Sequence, residues 1–178
     1  GAGRRAGGAG GTALRTGWFA GLAVLAVILD SAVAPEIEIL GARPDFLVLV
    51  VAYAGLVLGA RPATIVGFTL GLIVDAEQPE YLGLHAFSLS VIGFASAAAW
   101  EHLVRGSLFV QISVLFGAAL AHDLIYYVVY YRNHLDIFAR FFVRFGLIGG
   151  AYTAAFAVLI FGLARARMWR VIAGGTRV

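Results

Sequence analysis

The feature that most constrains this chain is a succession of long apolar runs separated by short polar breaks. The runs cover residues 17–34, 45–60, 62–75, 82–104, 108–131 and 141–164, and no break between them exceeds about ten residues. Hydrophobic residues make up 61% of the sequence and charged residues 13%, whereas soluble domains carry roughly 45–50% and 25%. So few charges cannot clothe a surface facing water, and the mean hydropathy of +0.91 points the same way. At about 1.5 Å rise per residue the first run covers about 27 Å, enough for the hydrocarbon core of a bilayer. In lipid a helix satisfies its own backbone polar groups. The chain therefore reads as an all-α, polytopic integral membrane protein with six transmembrane helices and no room for a globular domain outside the membrane.

The breaks carry helix punctuation. Pro35 closes the first run, and Pro44 and Asp45 open the second, with proline in the first turn and an acid at the positive end of the helix dipole. Arg61-Pro62 divides the second helix from the third, which ends near Asp75, so these two short helices form a tight hairpin. The expected organisation is a flexible cytoplasmic tail over 1–16, one six-helix membrane domain over 17–165 and a basic cytoplasmic tail over 166–178.

All thirteen basic side chains are arginine, and the net charge is +3. They lie at the chain ends and in loops rather than along one helix face, which excludes a nucleic-acid-binding stripe and turns attention to orientation. With both termini inside, nine arginines fall on the cytoplasmic side and four outside, in accord with the positive-inside rule. Seven acids (Glu36, Glu38, Asp45, Asp75, Glu77, Glu80 and Asp136) fall outside. Tyr126, Tyr127, Tyr130 and Tyr131 at one interface and Trp169 at the other are placed as aromatic anchors.

Catalytic signatures are absent from the sequence. With no cysteine there is no disulfide framework, thiol nucleophile, Fe–S cluster or thiolate zinc site. No nucleophile elbow, P-loop, dinucleotide fingerprint or HExxH spacing occurs, so neither a cofactor nor a metal is expected. Ser88, Ser90, Ser96 and Ser113 lie in apolar helices without a base nearby in sequence. Asp30, Asp75 and Asp123 recur near helix ends, the last somewhat deeper. An ionisable group within a span is a functional candidate by default, although water or snorkelling can solvate the first two. His85, at a helix start, is expected to hydrogen-bond a neighbour. Asp75 and His85 are expected to bracket an ordered loop punctuated by Pro79 and Gly83, with Asp75 accepting hydrogen bonds from loop amides.

Glycines are dense in the apolar runs: Gly17/Gly21, Gly55/Gly59 and Gly67/Gly71 are GxxxG pairs, and Gly146, Gly149 and Gly150 cluster in the sixth helix. Such faces let helices approach closely in lipid, where no hydrophobic drive separates helix from solvent. The packing is either internal or against a partner helix. The partner reading places Gly55, Gly59, Gly67 and Gly71 along a docking groove flanked by the acidic loops with Glu36, Glu38, Glu77 and Glu80.

From Arg43 to Gly93 the order of features is Pro44-Asp45, Arg61-Pro62, Gly67-Phe68-Thr69-Leu70-Gly71-Leu72 leading to Asp75, and Leu82-Gly83-Leu84-His85-Ala86. This stretch resembles the rod shape-determining membrane protein family MreD. The resemblance implies a non-enzymatic membrane scaffold of the bacterial cell-wall elongation machinery in the cytoplasmic membrane. It would bind MreC, in a two-fold or higher-order assembly, and through it connect to MreB, RodA and the elongation transpeptidase in regulating peptidoglycan synthesis. The family is also similar in fold to the six-helix substrate-binding membrane subunits of energy-coupling-factor transporters. That similarity supplies the alternative, a small-molecule-binding subunit of a transporter. A transporter site presents polar groups converging on one cavity. In the sequence the polar residues gather at helix ends, which favours the scaffold, with Asp45, Asp75, His85 and Asp123 as its structural or functional polar positions.

Overall fold

The computed structural model describes residues 19–39, 41–77, 79–102, 107–131 and 140–159. They form an all-helical bundle: α1 (Phe19–Val33), α2 (Phe46–Leu58), α3 (Ala60–Asp75), α4 (Leu84–His102), α5 (Leu108–Tyr130) and α6 (140–159). The two tails expected over 1–16 and 166–178 lie outside the described residues.

Each boundary has a local cause. The last turn of α1 widens into a π turn over Leu29–Val33, closed by the Ala34 amide donating to the Leu29 carbonyl at 2.8 Å, and Pro35 follows with no amide to continue it. Asp45 is the N-cap of α2: its backbone is extended and its Oδ1 accepts from the Val48 amide at 2.7 Å. Pro44 therefore precedes the cap instead of occupying the first turn. The break between α2 and α3 is at Gly59, with φ of 86°, and not at Arg61-Pro62. Pro62 sits in the first turn of α3, where a missing amide costs nothing, so only the residue with the left-handed backbone ends α2. Pro79–Tyr81 form a single 3-10 turn, and α4 starts at Leu84, two residues later than its apolar run, because Leu82 and left-handed Gly83 belong to the turn.

α2 is apolar all round and is the central helix, with Val48, Val51 and Ala52 fully buried. α3 makes its most extensive contact with α4. The opposite face of α3 leaves Ile65, Phe68, Leu72 and Ile73 exposed, a surface suited to lipid.

The seam between α2, α3 and α4 is built on glycine. A Cβ at Gly67 would collide with the Leu89 carbonyl and one at Gly71 with the backbone of Ala86. A Cβ at Gly93 would lie 2.6 Å from the Ala63 carbonyl oxygen, and one at Gly55 2.8 Å from that of Gly93. Backbone therefore lies directly on backbone. This corrects the reading of Gly55, Gly67 and Gly71 as an open groove for a partner: α4 of the same chain occupies it. Gly59 meets nothing within 4 Å and serves the break between helices.

Candidate functional site

Helices α1, α3 and α5 end, and α2, α4 and α6 begin, at one end of the bundle, where the polar residues meet. Asp75, the last residue of α3, is fully buried. Its Oδ2 accepts from the amides of Gly83 at 2.9 Å and Ala86 at 3.0 Å, and its Oδ1 from the amide of His85 at 3.0 Å. The His85 ring adds a contact from Nδ1 to Oδ1 at 2.9 Å. The carboxylate of one helix end thus caps the exposed amides at the start of the next and lies at the positive end of its dipole. The expectation that loop amides bind Asp75, and that His85 bonds a neighbour, describes this arrangement. Solvation by water does not: the amides take its place.

A second polar chain links three helices. The Ser88 hydroxyl on α4 lies 3.0 Å from His122 Nδ1 on α5, and His122 Nε2 lies 3.5 Å from Asp45 Oδ2 at the head of α2. A tautomer with Nε2 protonated lets Ser88 donate to Nδ1 and His122 donate to Asp45. Ser88 therefore has a base beside it after all, brought from thirty-four positions away in sequence. The order is that of a hydrolytic triad with the two imidazole nitrogens exchanged. Ser88 is fully buried, the His85 carbonyl at 3.2 Å competes with His122 for its single hydroxyl proton, and the residue acts as a strut between helices.

Further bonds fix the head of α2. The Asp45 amide donates to Thr153 Oγ1 on α6 at 3.0 Å, and the Phe46 amide to Asp30 Oδ1 on α1 at 3.3 Å. The Tyr152 hydroxyl donates to the Ile37 carbonyl at 2.9 Å, tying α6 to the segment after α1. Thr153 and Tyr152 had no motif to mark them, and only the fold reveals their partners.

These groups surround a cleft of about 680 Å³ lined by Asp30, Arg43, Asp45, His85, His122, Asp123 and Tyr127, among others. Polar groups from α1, the head of α2, α4 and α5 and from two connecting segments converge here, whereas the sequence showed them only as gathered at helix ends. Asp75 stands behind the cleft and positions His85. Glu77 lines both this cleft and an adjoining cavity of about 520 Å³, where Glu80, Tyr81, Tyr130 and Tyr131 are added. The tyrosines expected as interface anchors stack on one another, with 5.8 Å between the Tyr126 and Tyr130 ring centres, and Tyr126 also packs 4.9 Å from the His85 ring. Among the described residues no group of three His, Asp or Glu side chains is arranged to hold a metal.

Fold and site together define an all-helical protein with two helices, Phe109–Tyr130 and Phe142–Leu159, long and apolar enough to cross a membrane, and a polar cleft at one end of its bundle. Comparison with family models matches residues 14–167 to the rod shape-determining protein MreD. The chain belongs to the MreD family, a family of membrane proteins with a role in determining rod shape. Comparisons with curated proteins and with solved structures give no match.

Proposed function

We propose that this chain is a non-enzymatic membrane scaffold of the cell-wall elongation complex. It crosses the cytoplasmic membrane six times, keeps both termini inside and binds MreC, through which it communicates with MreB, RodA and the elongation transpeptidase. The observation that carries this reading is the family match over 14–167. Two features support it. The bundle exposes large apolar side chains, including Phe68, Phe87, Phe94 and Phe109, to which lipid or a single-pass partner helix can pack. Glu77 and Glu80, on the rim at the acidic end, offer charge to the partner's extramembrane stalk. Gly55, Gly67 and Gly71 contribute indirectly, by holding α2, α3 and α4 as a rigid platform.

Co-purification with MreC from the membrane tests the reading. Capture by the wild-type chain, and reduced capture by Glu77→Arg with Glu80→Arg, is the expected result; no capture by the wild type defeats it. Labelling of single cysteines introduced at Gly3 and Thr176 should place both on the cytoplasmic face.

The cleft favours a second reading, a small-molecule-binding membrane subunit of a transporter. Co-purification of an ATPase pair in place of MreC would support that reading.

A further inference from the structure

We infer that the cleft at the acidic end is a binding site for an organic ammonium ion, with the nitrogen seated beside the Asp123 carboxylate. Its volume of about 680 Å³ suits a compact small molecule or lipid headgroup. What such a group would meet there is a set of acceptors. Asp30 and Asp45 each already accept a backbone amide, whereas Asp123 accepts no hydrogen bond among the described residues. The neighbouring helix leaves that carboxylate uncovered. A Cβ on Gly149, which lines the cleft, would stand 3.9 Å from Asp123 Oδ2, so glycine at this position of α6 keeps a side chain out of the space beside the carboxylate. The position a Cβ would take on Gly149 is also 3.6 Å from the Arg43 carbonyl oxygen, a second acceptor facing the same space.

The walls fit the same chemistry. Tyr126 and Tyr127 line both the cleft and the adjoining tyrosine-rich cavity, and aromatic faces attract alkylammonium groups. Carboxyl groups from α1, the head of α2 and α5 face this one cleft, so a cation entering between them would be held by several acidic groups at once. The exposed Arg43 lies on the same lining, where it would meet an anionic group carried by the ligand. An ammonium bearing a phosphate or carboxylate therefore matches better than a simple inorganic cation. Two sources offer this chemistry, a free amine and the headgroup of an aminolipid. The inference is independent of MreC binding, since capture of MreC and ammonium binding are separate measurements.

The test uses the full chain in nanodiscs and reads the thermal unfolding midpoint. In discs of phosphatidylglycerol alone, titrated ethanolamine should raise the midpoint in a saturable manner, while NaCl at matched ionic strength should not. In discs containing phosphatidylethanolamine, a midpoint already raised and no longer responsive to ethanolamine assigns the site to the lipid headgroup; a retained response assigns it to the free amine. Asp123→Asn should weaken the apparent affinity about tenfold or more, the worth of a charge-assisted hydrogen bond. Gly149→Ala, whose new methyl meets only ordinary contacts and so preserves the fold, should weaken it several-fold by entering the space before the carboxylate. Glu36→Gln, outside the cleft lining, should bind as wild type. Equal stabilisation by NaCl, no stabilisation in either kind of disc, or unchanged affinity in both Asp123→Asn and Gly149→Ala would overturn the assignment.

Discussion

The seam between α3 and α4 and the acidic end of the bundle hold the same helices together by opposite means. At the seam, glycine removes side chains until backbone rests on backbone. At the acidic end, Asp75 adds a side chain that reaches across a turn and collects three amides and an imidazole. In lipid no hydrophobic force drives one apolar helix onto another, so both means supply what water would otherwise provide: close dispersion contact in one place and satisfied polar groups in the other. The difference between them is tolerance. A polar cap can lose one bond and keep others, while a glycine seam has no slack.

The comparison is put to its hardest test by Gly67→Leu with Gly71→Leu. Each added side chain starts inside the backbone of α4, so the pair should cost more than about 3 kcal/mol, beyond ordinary overpacking, and should abolish a cooperative unfolding transition in detergent. A normal midpoint would show that α3 and α4 can separate cheaply. Asp75→Ala comes next. It leaves several buried amides without an acceptor and should cost about 2–3 kcal/mol, read as a fall in unfolding midpoint, while Asp75→Asn, which keeps one acceptor oxygen, should recover part of the loss. Equal effects of the two variants would mean that the charge rather than the geometry matters. Ser88→Ala removes one strut to His122 and should cost about 1 kcal/mol. Smallest of all, Glu77→Arg and Glu80→Arg should leave the midpoint almost unchanged, within about 0.5 kcal/mol, because exposed charges add little to stability. If MreC capture falls in those variants while stability holds, the rim serves the partner and not the fold.

Much of this was legible in the sequence for physical reasons that can be named. Asp45 at the start of an apolar run is a capping residue by chemistry, and α2 begins with it. Asp75 and His85, bracketing a turn with Pro79 and Gly83, were marked by their types and spacing, and they meet at 2.9 Å. The boundary between α2 and α3 was misplaced by two residues because proline draws attention as a helix breaker, yet proline is at home in a first turn and Gly59 makes the break. Ser88 and His122 went unpaired because nothing in a local pattern relates residues on two different helices.

What the sequence determined by itself was the set of helices, since apolar run length, caps and breakers act within a few residues along the chain. The tertiary structure decided which faces meet. α2 and α5 are apolar on nearly every side, so no amphipathic stripe announces how either helix is turned about its axis. The rotation of α2 and α3 against α4 follows where glycine permits backbone contact, at Gly55, Gly67, Gly71 and Gly93, while α5 is turned so that His122 meets Ser88 and Asp45; together these bring Asp30, Asp45, His122 and Asp123 to one cleft. Hydropathy measures how much of a helix avoids water; it does not say which neighbour each face will touch.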